Sequence, residues 1–195
     1  MAGSHVDEVE SRLVADAVRG DREARRALFE RYREAAYGTA YRITGRMEDA
    51  LDVVQDSFIS AFENLGRFQG QASFKTWLLR IVANRALDLL RSRKVRLATS
   101  LDGDEESGPQ PAAAEAPAGT ALEQDELSER LQRALESLPP DQRAVFALYA
   151  TGDMTYGQIA EVLGIPVGTV MSRLFHARRR LRAALPDLAP EPTTQ

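Results

Sequence analysis

The stretch Thr155-Tyr-Gly-Gln-Ile-Ala-Glu-Val-Leu-Gly-Ile-Pro-Val-Gly-Thr-Val-Met-Ser-Arg-Leu174 decides the fold. Thr155 is a good helix N-cap, and Gln158 three residues on completes a capping box, so a helix starts here. Ile159, Ala160 and Leu163 form its apolar stripe. Ala160 is small, as the close crossing of two helices requires, Gly164 permits a left-handed turn, and Ile165 is placed to plug the corner. Pro166 can open a second helix, where its missing N–H costs nothing. Val170 and Leu174, four apart, pack that helix back on the first, and its opposite face presents Thr169, Ser172, Arg173, His176 and Arg179 or Arg180. The pattern is a helix-turn-helix. Arginines and hydroxyls on an outer helix face suit the DNA major groove, where Arg reads guanine and hydroxyls contact phosphate. An ordinary αα-hairpin would need the capping box, the small residue, the turn glycine and the basic second helix to coincide by accident.

Upstream of this motif the chain is again helical in pattern. Runs of alternating β-branched residues are absent, and Ala, Leu, Arg and Glu dominate, so the fold class is all-α. Residues 9–19 read as one helix, stopped by Gly20-Asp21. Residues 21–41 read as a second, with Leu28, Tyr32, Ala36 and Ala40 at helical spacing. A third covers 48–64, with Ala50, Val53, Val54, Phe58, Ala61 and Phe62 on a broad apolar face. After a loop at 66–72, Ser73 caps a fourth that runs to about residue 92 on Phe74, Trp77, Leu78, Ile81 and Leu89. Helices over 122–137 and 141–149 precede the helix-turn-helix. The segment 98–121 is rich in Pro, Ala, Gly and acids and carries no periodicity, so it reads as a flexible linker. It divides the chain into two small helical domains, 8–97 and 122–186, and residues 187–195 read as a disordered Pro-rich tail.

Composition narrows the function classes. The 195-residue chain has no cysteine, which excludes disulfides and thiolate zinc sites, and its two histidines, His5 and His176, make no plausible metal centre. No phosphate loop, activated nucleophile or metal cluster is recognisable, so neither an enzyme nor a cofactor is expected. No apolar run approaches the roughly 20 residues of a membrane span, and the polar, acidic first 12 residues lack a signal-peptide core, so no membrane insertion and a cytoplasmic location are expected. The net charge of −4 hides two basic segments: residues 67–97 hold eight Lys or Arg against one acid, and 166–185 hold five Arg and no acid. Both attract phosphate, while the acidic remainder repels nucleic acid and suits a basic protein partner.

Two segments of the first domain carry a family resemblance. Asp49-Ala-Leu-Asp-Val-Val-Gln-Asp-Ser-Phe-Ile-Ser-Ala-Phe62 resembles the core-polymerase-binding segment of sigma factors, commonly Asp-Ala-Glu-Asp-Leu-Val-Gln-Glu-Thr-Phe. Asp52, Gln55 and Asp56 share one helix face there, and the apolar residues are expected on the other. Phe68-Gln-Gly-Gln-Ala-Ser-Phe-Lys-Thr-Trp-Leu-Leu-Arg-Ile-Val-Ala-Asn-Arg-Ala-Leu-Asp-Leu-Leu-Arg-Ser-Arg93 looks like the promoter-melting, −10-reading segment of the extracytoplasmic-function (ECF) group. A loop between helices can cup an unstacked base while nearby cations hold the single strand. The residues placed there are Phe68, Gln69, Gly70, Ser73, Lys75, Arg80, Asn84, Arg85 and Arg91, with Asn84 matching a family position near the flipped base. The spacing of Trp77 and Phe74 with Leu78 and Ile81 assigns Trp77 to the core rather than to base stacking.

The resemblance spans residues 10–97 and 122–185 in the family's own order. It implies an ECF-type sigma factor, monomeric when free, that docks its acidic helix on the β′ clamp coiled-coil of core RNA polymerase. Its second domain would rest on the β flap and read the −35 element through residues 166–180, and the linker would thread near the RNA exit path. Promoter DNA and an anti-sigma factor are the further partners it implies. Leu51 stands where Glu is common, Asp56 where Glu is common, Met171 where Lys is frequent, and Phe175-His176 where His-Arg is frequent. The rival reading is a helix-turn-helix regulator that binds duplex DNA without core polymerase, since repressors and response regulators use the same motif. A protein-only adaptor would keep its function without the arginines of the second helix.

Overall fold

The computed structural model describes residues 3–100, 120–152 and 154–188. Helix α1 is Gly3–Val18, α2 Arg22–Thr44, α3 Met47–Glu63 and α4 Phe74–Ser100, with a single 3-10 turn at Leu65–Arg67. After the interval come α5 Thr120–Glu136, α6 Pro140–Tyr149, α7 Tyr156–Leu163 and α8 Val167–Ala184, followed by a 3-10 turn at Pro186–Leu188. No strand occurs among the described residues. Of the expected linker over 98–121, residues 98–100 and 120–121 belong to α4 and α5, and 101–119 lie outside the described residues. Of the expected tail, 187–188 are helical and 189–195 lie outside.

Helix α2 is the axle of the first module. Asp21 caps it, its carboxylate accepting from the N–H groups of Glu23 (2.8 Å) and Ala24 (3.2 Å). Gly45 ends it at φ 80°, donating its N–H to Tyr41 O at 2.8 Å. Between these caps Ala24, Leu28, Tyr32, Ala36 and Ala40 recur every four residues and are all buried. Helices α1, α3 and α4 pack around that stripe. Glu10 of α1 ties the assembly at one end: its carboxylate accepts from the Tyr32 hydroxyl and, at 2.9 Å, from the N–H of Phe74 at the start of α4. Helix α4 runs eight residues past the expected end near residue 92. The segment Arg93–Arg96 contains neither Gly nor Pro, so nothing local stops the backbone. Arg93 also secures the extension by pairing with the buried carboxylate of Asp49 on α3.

The second module packs directly against the first. Helix α6 lies on α2 and α4, and α7 lies on α4. One continuous core results, in which Val145, Leu148, Ile159 and Val162 join Leu28, Ile43, Leu78 and Val82. Arg143 is the polar fastening of this contact. It is buried, and its Nη1 donates to Ile43 O at 3.0 Å while Nη2 donates to Glu136 O at 2.6 Å and Leu138 O at 3.1 Å. Ile43 and Glu136 lie at the C-terminal ends of α2 and α5, where partial negative charge favours a cation. Burial pushes the Arg143 guanidinium below its usual pKa, and neighbouring Glu136 opposes that shift.

Candidate nucleic-acid interface

The helix-turn-helix is built as its local sequence dictates. Thr155 Oγ1 accepts from Gln158 N–H at 3.2 Å while Thr155 N–H donates to Gln158 Oε1 at 2.8 Å, which is the reciprocal capping box. Gly164 takes φ 63°, and Ile165 N–H returns to Ala160 O at 3.0 Å. Val170, Leu174 and Ala177 of α8 are buried. Its outer face exposes Ser172, His176, Arg179 and Arg180, with Thr169 half-buried beside them. Arg173 is not in that outer group. It is half-buried and pairs with Asp141 of α6 at 2.8 Å, so it fastens α8 to α6. Arg178 lies over the Tyr149 ring, 4.5 Å from its centroid. Met171 and Phe175, singled out in the sequence as departures from the family pattern, are 54% and 62% exposed on the same helix.

The loop after α3 is shaped by aromatics. Phe68 is half-buried, its ring 5.4 Å from Trp77 and 6.2 Å from Phe74, and Tyr32 stands 5.6 Å from Phe74. Trp77 therefore packs on the core, and Phe68 anchors one end of the loop to it. Gly70 turns the chain at φ 68°, leaving Gln69, Gly70 and Gln71 exposed. Ser73 closes the loop by capping α4, its Oγ accepting from Thr76 N–H at 3.1 Å. An open pocket forms here between Phe68, Gln69, Gly70, Trp77 and Arg80, and Glu161 of α7 lines its far wall. Arg80, Asn84 and Arg91 continue outward along exposed positions of α4, with Arg91 paired to Asp88 at 2.5 Å. Lys75 is half-buried. Arg85 faces α3 instead and pairs with Asp56 at 3.3 Å.

On α3 the structure brings Asp52, Gln55 and Asp56 together as one exposed group. The expectation that the apolar residues of this helix all take the other face is corrected. Val53, Val54 and Phe58 are buried, but Met47, Leu51 and Ile59 are 55%, 53% and 49% exposed and flank the acidic group. The apolar surface of α3 is wider than one face can bury, so its edge meets solvent beside the carboxylates. No helix among the described residues is long and apolar enough to cross a membrane.

The family model described as Sigma-70 region 2 matches residues 28–96, and that described as Sigma-70, region 4 matches residues 128–181. The chain is 33% identical over 188 residues to the RNA polymerase sigma-H factor of Pseudomonas aeruginosa, covering 94% of this chain and 97% of that protein. It is 33% identical to the ECF RNA polymerase sigma factor SigW of Bacillus subtilis over 177 residues, 87% of this chain and 93% of that one. Among solved structures, CnrH in complex with the cytosolic domain of CnrY superposes with a TM-score of 0.66 at 27% identity, covering 92% of this chain and 99% of CnrH.

Proposed function

Because this chain belongs to the sigma-70 family, in its ECF branch, and is thus a promoter-recognising, core-polymerase-binding transcription factor rather than an enzyme, we propose how its surfaces divide the work. The exposed acidic group Asp52, Gln55 and Asp56, with the apolar edge of Leu51 beside it, docks on the polymerase clamp. The loop at 68–73 captures the −10 element as single strand, held by Arg80, Asn84 and neighbouring cations of α4. Helix α8 reads −35 duplex with Ser172, His176 and Arg179. Residues 8–97 and 122–186 act as separate modules on a tether, which raises their joint affinity through effective concentration. The observation that carries this reading is the position of Gly70, Phe68 and Arg80 around one open pocket next to a basic helix. Glu161 of α7 lines that pocket, so −10 capture calls for α7 to move away and the two modules to part.

A protein inhibitor belongs to the proposal too. CnrH was solved bound to another protein, and an anti-sigma partner that holds the packed arrangement would act on the same equilibrium between packed and parted modules. The protein works in the cytoplasm, where polymerase is.

Replacing Gln55 and Asp56 together by Ala should weaken binding to core polymerase by tenfold or more, about 1.4 kcal/mol, while binding of the isolated −35 duplex is unchanged. A fluorescence titration with core enzyme checks this, and unaltered affinity refutes the docking face. Arg179→Ala should reduce initiation at −35-dependent promoters by about 1–3 kcal/mol of discrimination. Run-off assays on wild-type and mutated −35 elements measure it, and an unchanged promoter preference contradicts the assignment.

A further inference from the structure

Helix α8 carries a row of exposed apolar side chains that its role as a polar DNA reader does not account for. Val167, Met171 and Phe175 are spaced four apart and are 44%, 54% and 62% exposed. At roughly 100° per residue, Met171 and Phe175 stand about 40° apart on the helix, and Phe175 lies about 40° from Arg179 and 60° from Ser172. The pair thus borders the surface that Ser172, His176 and Arg179 present. A cleft on this side of α8 is lined by Met171, Leu174, Phe175, Arg178, Arg179 and Arg182 together with Tyr156 of α7. The Phe175 ring is steadied edge-on against His176, centroids 5.5 Å apart.

We infer that Met171 and Phe175 are specificity-determining residues that read the 5-methyl groups of thymines in the −35 element. The inference rests on the proposed placement of α8 in the −35 major groove. Met171 has no donor with which to reach guanine O6 or N7, so it cannot make the contact a basic side chain would make there. The apolar feature that the major groove offers is the thymine methyl, and methionine and phenylalanine are shaped to cover one. Charge favours DNA as the occupant. The helix holds five arginines and no acid from Val167 to Ala184, and Arg179 and Arg182 beside the cleft complement phosphates on either side of a base edge. Exposed Ser172, His176 and Arg179 border the apolar row on one side, so hydrogen-bonding and methyl features of the same base edges lie within reach together.

The test uses full-length protein with core polymerase on a promoter selected from a random library. Thymines of its −35 element are replaced one at a time by deoxyuridine, which removes the methyl and nothing else. One or two replacements should lower run-off transcription about fourfold, the weight of one buried carbon group. Met171→Ala should lower transcription from the thymine template and abolish the deoxyuridine effect at one position, while Met171→Leu preserves it. Phe175→Ala should do the same at a neighbouring position. Three results would overturn the inference: equal transcription from thymine and deoxyuridine templates, selected −35 elements without A·T pairs, or a Met171→Ala protein that transcribes normally but no longer binds an acidic helical partner. The last would assign the row to a protein. Failure to start from any template in the library would instead overturn the proposed division of surfaces, and this inference with it.

Discussion

Phe74→Ala is expected to destabilise the protein by about 3–5 kcal/mol, the cost of deleting a fully buried aromatic ring. Phe74 is 0% exposed and touches Tyr32, Phe68 and Trp77. The void would open where α2, α4 and the loop at 68–73 converge. Against a total stability of about 5–15 kcal/mol this is a large fraction. The unfolding midpoint should fall by about 6–20 °C in a thermal circular dichroism scan. Phe74→Leu should cost clearly less. Because Phe68 leans on Phe74, the alanine variant should also lose −10-dependent initiation at temperatures where it is still folded. A loss under about 1 kcal/mol would show that the aromatic cluster is not packed as described.

Arg143→Ala is the second large effect. Three carbonyls, those of Ile43, Glu136 and Leu138, accept from this guanidinium. Its removal strands acceptors at two helix ends, and each hydrogen bond to a charged donor contributes about 1.5–3 kcal/mol. Relief of the buried charge and entry of water offset part of that, leaving an expected cost of about 2–5 kcal/mol. The signature is specific. Ile43 belongs to the first module and the other two acceptors to the second, so the contact between modules loosens before either module unfolds. Small-angle scattering should show a larger radius of gyration for Arg143→Ala, and hydrogen exchange should rise at the end of α2. Arg143→Lys, whose single ammonium cannot span three acceptors, should fall between wild type and alanine. An unchanged radius and exchange pattern would mean that Arg143 does not fasten the modules.

The features legible in the sequence were those set by neighbours in the chain. Thr155 with Gln158 and Gly164 before Ile165 act on near neighbours in the chain, and each produces the cap or turn expected of it. The stripe Leu28, Tyr32, Ala36 and Ala40 worked for the same reason, since helical period alone decides which residues share a face. Arg143 was invisible because its acceptors include a carbonyl 100 residues away. Arg173 was read as a DNA contact because it sits on α8, and only the tertiary packing brings Asp141 within 2.8 Å of it. On α3, period correctly placed Asp52, Gln55 and Asp56 side by side. It could not say how much of the apolar arc the neighbouring helices would cover, and Met47, Leu51 and Ile59 are the uncovered remainder. The basic charge of residues 67–97 was likewise plain, but not that Arg85 and Arg93 would spend theirs on Asp56 and Asp49.

The division of labour between a polymerase-gripping, −10-opening module and a −35-reading module is tested most directly by initiation itself. Core RNA polymerase free of any other sigma factor should be given this protein and a random promoter library, and the transcript 5′ ends sequenced. Discrete starts are predicted downstream of two short elements at one fixed spacing, lost at the upstream element with Arg179→Ala and at the downstream element when Gln69, Asn84 or Arg80 is replaced. Starts that require only one element, or none that depend on the protein, would contradict the account.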